Sequence, residues 1–312
     1  MADLYKIAAA KQARRQLVRR ARVDPTLFCR MGLRDERNGK PIRQAPMHDE
    51  WHRLIDQHSR LVLFAHVDAG KSQQITVGRT LWELGQNRNL RVVIITKTAN
   101  LAMKMVRSVK QYIEGSPDLT EIFPDLKPAE DPGLPWTSHM LTIDRGGIVA
   151  KDPSVQASGI YGNIHGARID LLILDDVLDS ENTRSRTPRE HLWDWVRATL
   201  FGRLTEGARV IVLGNAWHPE DLMHKLEKER RFVGFRFPVV DRATGAVTWP
   251  EHWPQRRIDE QRQDMGPLEF ARALLCEARD DESARFKRAW IDKAVERVQG
   301  LTERLRAAEK EL

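Results

Sequence analysis

Apolar residues gather in four short, unbroken runs: Leu61-Val62-Leu63-Phe64-Ala65, Val92-Val93-Ile94-Ile95, Leu171-Leu172-Ile173-Leu174 and Val210-Ile211-Val212-Leu213. Runs of four or five apolar residues with no polar face are what strands covered on both sides require. Between them the pattern changes period. Trp51, Leu54 and Ile55 share one face of a helix predicted over 48–59, and Ile75, Val77, Leu81 and Leu84 recur at near-helical spacing over 72–84. Further helices are predicted over 99–114 and 188–200. Strand followed by helix, repeated, predicts an α/β fold with a central, mainly parallel sheet flanked by helices.

The remaining segments are less regular. Residues 25–46 read as a turn-rich lead-in broken by Gly32, Gly39 and Pro41, and 117–135, with five prolines, as an irregular surface excursion. Residues 140–151 suggest a hairpin turning at Asp144-Arg145-Gly146-Gly147, and Gly159, Gly162 and Gly166 punctuate a loop. From Trp249 the chain becomes helical and charged, and 286–312 reads as a long helix carrying Trp290, Ala294, Val298, Leu301 and Leu305. Three parts follow: a basic helical arm and lead-in at 1–45, an α/β core at 46–245 and a helical linker or subdomain at 246–312.

Composition narrows the class. The chain has 312 residues of which 41% are hydrophobic, enough for a substantial core. Cys29 and Cys276 stand at no metal-ligand spacing, which fits a reducing cytoplasm. No secretion signal or membrane-length apolar run is present, so a soluble protein is expected. Lys and Arg number 51 against 44 Asp and Glu, a net charge of +7 that favours a polyanionic partner. The excess crowds the first 22 residues, where Lys6, Lys11, Arg14, Arg15, Arg19, Arg20 and Arg22 face Asp3 alone. This segment reads as a helix facing DNA or another subunit, with Arg14, Arg15, Arg19 and Arg20 as candidate DNA contacts.

The first strand runs into His66-Val67-Asp68-Ala69-Gly70-Lys71-Ser72-Gln73. Strand, turn and helix closing on Gly-Lys-Ser is the setting of a phosphate loop, whose N–H groups wrap nucleotide phosphates. Lys71 would neutralise the β and γ charge and Ser72 would hold Mg²⁺. The pattern departs from the usual one at Ala65, where Gly is expected. The third strand ends on Asp175-Asp176. Mg²⁺ takes oxygen ligands, so Asp175 is the candidate metal holder, and Asp176 the acid that orients an attacking water. Asp176 is one methylene shorter than the Glu common there, which leaves Asp179 or Glu181 as alternatives. After the fourth strand come Gly214-Asn215-Ala216, where an amide could sense the γ-phosphate. Arg168, Arg184, Arg186 and Arg203 are candidates for the arginine that phosphoryl transfer favours, Arg168 foremost, in cis or from a neighbour.

Gly166-Ala167-Arg168-Ile169-Asp170 leading into that strand, Trp193-Asp194-Trp195, Gly202-Arg203-Leu204, the segment 214–222 and Trp249-Pro250-Glu251-His252-Trp253 followed by Phe270 together resemble the ATPase domain of tailed-phage terminase large subunits over about 45–290. The resemblance implies a P-loop NTPase of the ASCE type that binds ATP and Mg²⁺ and drives double-stranded DNA into a procapsid. It also implies a portal protein and a small terminase subunit as partners, a homo-oligomeric ring, pentameric on the procapsid, no membrane, and a place at the portal vertex in the infected host's cytoplasm. Residue by residue it assigns catalysis to Lys71, Asp176 and Arg168, metal binding to Ser72 and Asp175, and coupling to Gly214, Asn215 and Ala216. His48 falls where the family places an adenine contact. Departures are His66 in place of a common Arg, and Asn215-Ala216 where Thr and Arg are frequent. A nuclease domain is not expected in this chain, since Asp280, Asp281 and Glu282 sit in a charged linker. The alternatives are a DNA-remodelling ATPase of helicase type, and a DNA-binding adaptor with a degenerate nucleotide site.

Overall fold

The computed structural model describes residues 2–164 and 167–279, together with residue 298. Helices α1 (Ala2–Ala21), α2 (Pro25–Gly32) and α3 (Pro46–Gln57) precede strand β1 (Arg60–Ala65). After the loop, Ser72–Arg79 winds as a π-helix and tightens into α4 (Thr80–Gln86), then β2 (Val92–Thr96), α5 (Ala99–Gly115) and α6 (Pro117–Ile122). A two-residue strand β3 (Met140–Leu141) is followed by β4 (Val155–Gly159), β5 (Ile169–Asp175), α7 (Ser180–Thr183) and α8 (Arg186–Trp195), which continues through another π turn. The chain then forms β6 (Leu204–Gly214), α9 (Leu222–Glu227), β7 (Val233–Phe237) and α10 (Gln255–Ala273), the last broken at Gly266.

The seven strands form one sheet in the order β3-β4-β2-β5-β6-β1-β7, parallel except for the β3–β4 pair. The decisive feature is β6, which lies between β1 and β5, pairing Leu63 with Leu213 on one side and Asp175 with Leu213 on the other. Because all three strands run the same way, the loop after β1, the two acids ending β5 and the Gly-Asn segment after β6 meet at one edge.

The unbroken apolar runs are explained by two cores. Leu61, Leu63, Ile94, Leu171, Ile173 and Ile211 face one core with Trp51, Ile75, Val106 and Phe28. Their alternates Val62, Phe64, Val93, Ile95, Leu172 and Val212 face the other with Leu192, Val196 and Met223. Residues 18–33 of the basic arm and lead-in share the first core, so this segment packs onto the sheet's helical layer. A third cluster joins Val239, Trp253, Ile258, Phe270 and Leu274.

Several expectations are corrected. The hairpin over 140–151 does not form: Met140 and Leu141 pair instead with Gln156 and Val155. Gly159, read with Gly162 and Gly166 as punctuating a loop, instead ends strand β4, whose small residues allow α5 to approach. A Cβ at Gly159 would stand 2.6 Å from the Ala99 nitrogen. Edge strand β7 escaped notice because Val-Gly-Phe-Arg-Phe is half exposed and carries Gly234 and Arg236. The lead-in contains α2, capped by the Asp24 side chain, and the proline-rich excursion opens with α6, capped by Ser116. Apart from residue 298, the helix expected over 286–312 lies outside the described residues, as do the acids at 280–282 and Gly166.

Candidate functional site

The loop 66–71 is held from three sides. The His66 N–H donates to the Phe237 carbonyl at the end of β7 (3.1 Å), and the Val67 N–H to the Ala273 carbonyl at the end of α10 (2.9 Å). From below, His48 Nε2 donates to the Ala69 carbonyl (2.8 Å) while its Nδ1 accepts the Ala45 N–H (2.8 Å). The two bonds fix the neutral tautomer, and burial lowers the His48 pKa to about 4. Gly70 adopts φ +81°, a left-handed conformation that glycine enters at little cost, and Asp68 shares that region at φ +55°.

Lys71, 5% exposed, turns its ammonium inward. Nζ donates to the Ala65 carbonyl (3.1 Å), the His66 carbonyl (3.1 Å) and Asn215 Oδ1 (3.2 Å). The expected coupling residue therefore touches the expected phosphate-binding residue directly. Ser72 begins the π-helix, and one turn on Thr76 Oγ1 donates to Asp175 Oδ2 (2.7 Å). Asp175 is buried, and burial with the adjacent Asp176 charge pushes its pKa up to about 6, against the opposing Thr76 and Ser72 hydroxyls. Its other oxygen, Oδ1, is buried without a partner. A buried carboxylate oxygen left open beside a serine hydroxyl fits a hard divalent cation.

Asp176 is exposed, at φ +46°, with its N–H bonded to the Leu213 carbonyl (3.0 Å). Gly214 leaves room for it: a Cβ there would lie 3.5 Å from Asp176 Oδ1 and 2.9 Å from Met223 Sδ. Ala216 is fully buried. Of the alternative acids, Asp179 caps α7 and pairs with Lys97, and Glu181 pairs with the same lysine at 2.6 Å.

The structure places several of the expected site residues away from the open face of this edge. Arg168 precedes β5, so the seven-residue strand separates it from the acids by about 20 Å at 3.3 Å per residue, and it cannot reach this edge within one chain. The His48 imidazole is fully buried, edge-on to Trp51 and Trp249 at 4.8 Å, with both nitrogens engaged by backbone. It supports the loop instead of facing a base. Gln73 points away, donating to the Tyr112 hydroxyl (3.1 Å). Arg14 is held by Asp118 (2.5 Å) and Glu121 (2.7 Å), whereas Arg15, Arg19 and Arg20 are exposed. The His66 ring is also buried, edge-on to Trp253 at 5.6 Å, with burial lowering its pKa to about 4. Its Nδ1 lies 2.8 Å from the Val67 carbonyl, so the ring braces the loop from within.

Sequence reading missed Thr76, His252 and Arg257. The first was detectable, lying one turn beyond Ser72 on the same face. The others reach the loop through Asp68, whose Oδ2 lies 2.8 Å from both His252 Nε2 and Arg257 Nη2. No local signal marks that contact across more than 180 residues.

No family model matches the chain. It is 28% identical over 207 residues to the terminase large subunit of Enterobacteria phage T3, an alignment covering 65% of this chain and 31% of that protein. The chain thus spans about a third of that relative's length. Among solved structures, the bacteriophage HK97 large terminase superposes with a TM-score of 0.54 at 14% identity, covering 82% of this chain and 55% of that one. The large terminase ATPase domain of Thermus phage P74-26 gives a TM-score of 0.50 at 17% identity, covering 77% and 94%. With β6 set between the strand that precedes the Gly-Lys-Ser loop and the acid-bearing strand, the chain shares the fold of these large terminase ATPase domains, and its sequence is similar to that of a phage terminase large subunit.

Proposed function

We propose that this chain hydrolyses ATP and couples hydrolysis to movement of double-stranded DNA, as the motor of viral genome packaging. The observation that carries the reading is the convergence of Lys71, Asn215 and the open oxygen of Asp175 at one sheet edge. Lys71 would release its loop carbonyls to meet the β and γ phosphates, with the loop N–H groups as further donors. Ser72 and Asp175 would hold Mg²⁺, which supplies neutralisation of phosphate charge when bound. Asp176, exposed beside Gly214, would orient the attacking water, and Asn215 would pass a change at Lys71 into β6. Arg168 remains eligible only as an arginine offered to a neighbouring subunit.

A motor grips phosphates without reading bases, which suits the exposed Arg15, Arg19 and Arg20 of α1. The partners proposed are duplex DNA, a portal protein, a small terminase subunit and further copies of this chain in a ring, at the portal vertex in the host cytoplasm. Among the described residues, no helix is long and apolar enough to cross a membrane.

The test is ATP turnover with and without linear duplex DNA, repeated with Lys71→Ala. Turnover stimulated by DNA and abolished by the substitution supports the motor. Turnover absent, or indifferent to Lys71→Ala, points to a DNA-binding adaptor with a degenerate site.

A further inference from the structure

The phosphate loop carries an acid where anionic phosphates would be received. Asp68 lies two residues before Gly70, strained into a left-handed conformation and partly exposed. A carboxylate there opposes the binding of any polyphosphate, because like charges a few ångströms apart repel even in a half-exposed site. The chain answers this with residues from the segment preceding and opening α10. Arg257 Nη2 donates to Asp68 Oδ2 at 2.8 Å, and His252 Nε2 meets the same oxygen at 2.8 Å.

Arg257 is itself held in place. Its guanidinium stacks over Trp253 at 3.8 Å and its Nη1 donates to the His252 carbonyl at 2.9 Å. Trp253 packs on His66, and Trp249 packs on the His48 that bonds the Ala69 carbonyl. The guanidinium is therefore fixed from behind by an aromatic ring and in front by the loop's acid, at the cost of little further side-chain freedom. Although partial burial would raise the Asp68 pKa, the bonds from Arg257 and His252 outweigh it and hold the carboxylate ionised.

We propose that Arg257, assisted by His252, is a positioning residue for nucleotide phosphates, which compensates the Asp68 charge and turns that carboxylate away from the anion the loop receives. The inference rests on the nucleotide reading above. It also gives the segment 249–257 a function that its position far along the chain did not suggest: whatever moves that segment changes the loop's affinity for phosphate.

The experiment is calorimetric titration of the full chain with ADP at two salt concentrations. Arg257→Ala is expected to weaken ADP about five- to tenfold at low salt and less at high salt. Asp68→Asn, which tolerates the left-handed backbone, is expected to bind ADP as tightly as the native chain or tighter. The double variant should match Asp68→Asn within about twofold, and Arg257→Lys should retain most of the affinity. An ion pair that merely scaffolds the loop gives the opposite pattern, with Asp68→Asn weakening ADP as much as Arg257→Ala, and that result overturns the proposal. So does an Arg257→Ala chain that binds ADP normally while Lys71→Ala does not. If Lys71→Ala leaves ADP binding unchanged, the nucleotide reading itself fails.

Discussion

Asn215 Oδ1 accepts a hydrogen bond of 3.2 Å from Lys71 Nζ across 144 residues of chain, joining the end of β6 to the start of the π-helix. An amide carbonyl bonded to a buried ammonium is a charge-assisted contact, and breaking it leaves the lysine two backbone acceptors. Under the proposed function, the contact is where a change in phosphates meeting Lys71 would be transmitted to the sheet.

Asn215→Ala is therefore expected to lower ATP turnover about tenfold or more while leaving ADP affinity within about threefold. Steady-state turnover beside an ADP titration checks this. An equal loss in both measurements would make Asn215 an ordinary binding residue.

Acid should destabilise this protein through its buried imidazoles. Burial lowers His48 and His66 to about 4 and His52 to about 3, all below the ordinary 6.5. The unfolded chain binds more protons below pH 6.5, so stability is present above that pH and is lost as the solution approaches pH 4. By pH 5 each histidine contributes a loss of about 2 kcal/mol. Asp175, whose pKa burial and the neighbouring Asp176 charge raise, acts in the opposite sense and offsets part of that loss. Urea unfolding at pH 7.5 and pH 5 should show a net loss, and His52→Leu should lose less than the native chain. An unchanged difference between the two pH values would contradict this origin.

Gly159→Ala should destabilise the fold without touching the phosphate loop. Its Cβ would meet the Ala99 nitrogen at 2.6 Å, backbone that cannot swing aside, and overpacking of this kind costs about 1–3 kcal/mol. Gly115, whose Cβ would meet nothing within 4 Å, is the control, and its Ala variant should stay within about 1 kcal/mol of native. Thermal unfolding of the two variants decides it, and equal melting temperatures would refute the packing argument.

Removing Arg15, Arg19 and Arg20 together should reduce the slope of log affinity against log salt for duplex DNA by about 2–3. Arg14→Ala should leave the slope unchanged and weaken the docking of α1 on α6, because Arg14 already serves Asp118 and Glu121. Anisotropy titrations over a salt series separate the two. A slope that responds to Arg14 and not to the other three would reverse the assignment.

Much of the architecture could be read from the chain because its signals are local. Four apolar runs become β1, β2, β5 and β6, since a strand buried on both faces admits no polar residue. Gly70-Lys71-Ser72 and Asp175-Asp176 could be placed at strand ends because each follows one of those apolar runs. The elements that escaped, β4 and β7, have small or half-exposed residues whose strand conformation is imposed by neighbours.

Sequence by itself determined a mainly parallel α/β sheet, the Gly-Lys-Ser turn after its first strand and the pair of acids, all encoded in runs of ten or fewer residues. Tertiary structure alone decided the partnerships: Asn215 with Lys71, Thr76 with Asp175, Arg257 with Asp68, and the withdrawal of Arg168 to the far edge and of His48 beneath the loop. Spacing along the chain fixes which residues share a face of one element. Which faces meet depends on the order in which strands pair, and that follows from packing the whole sheet.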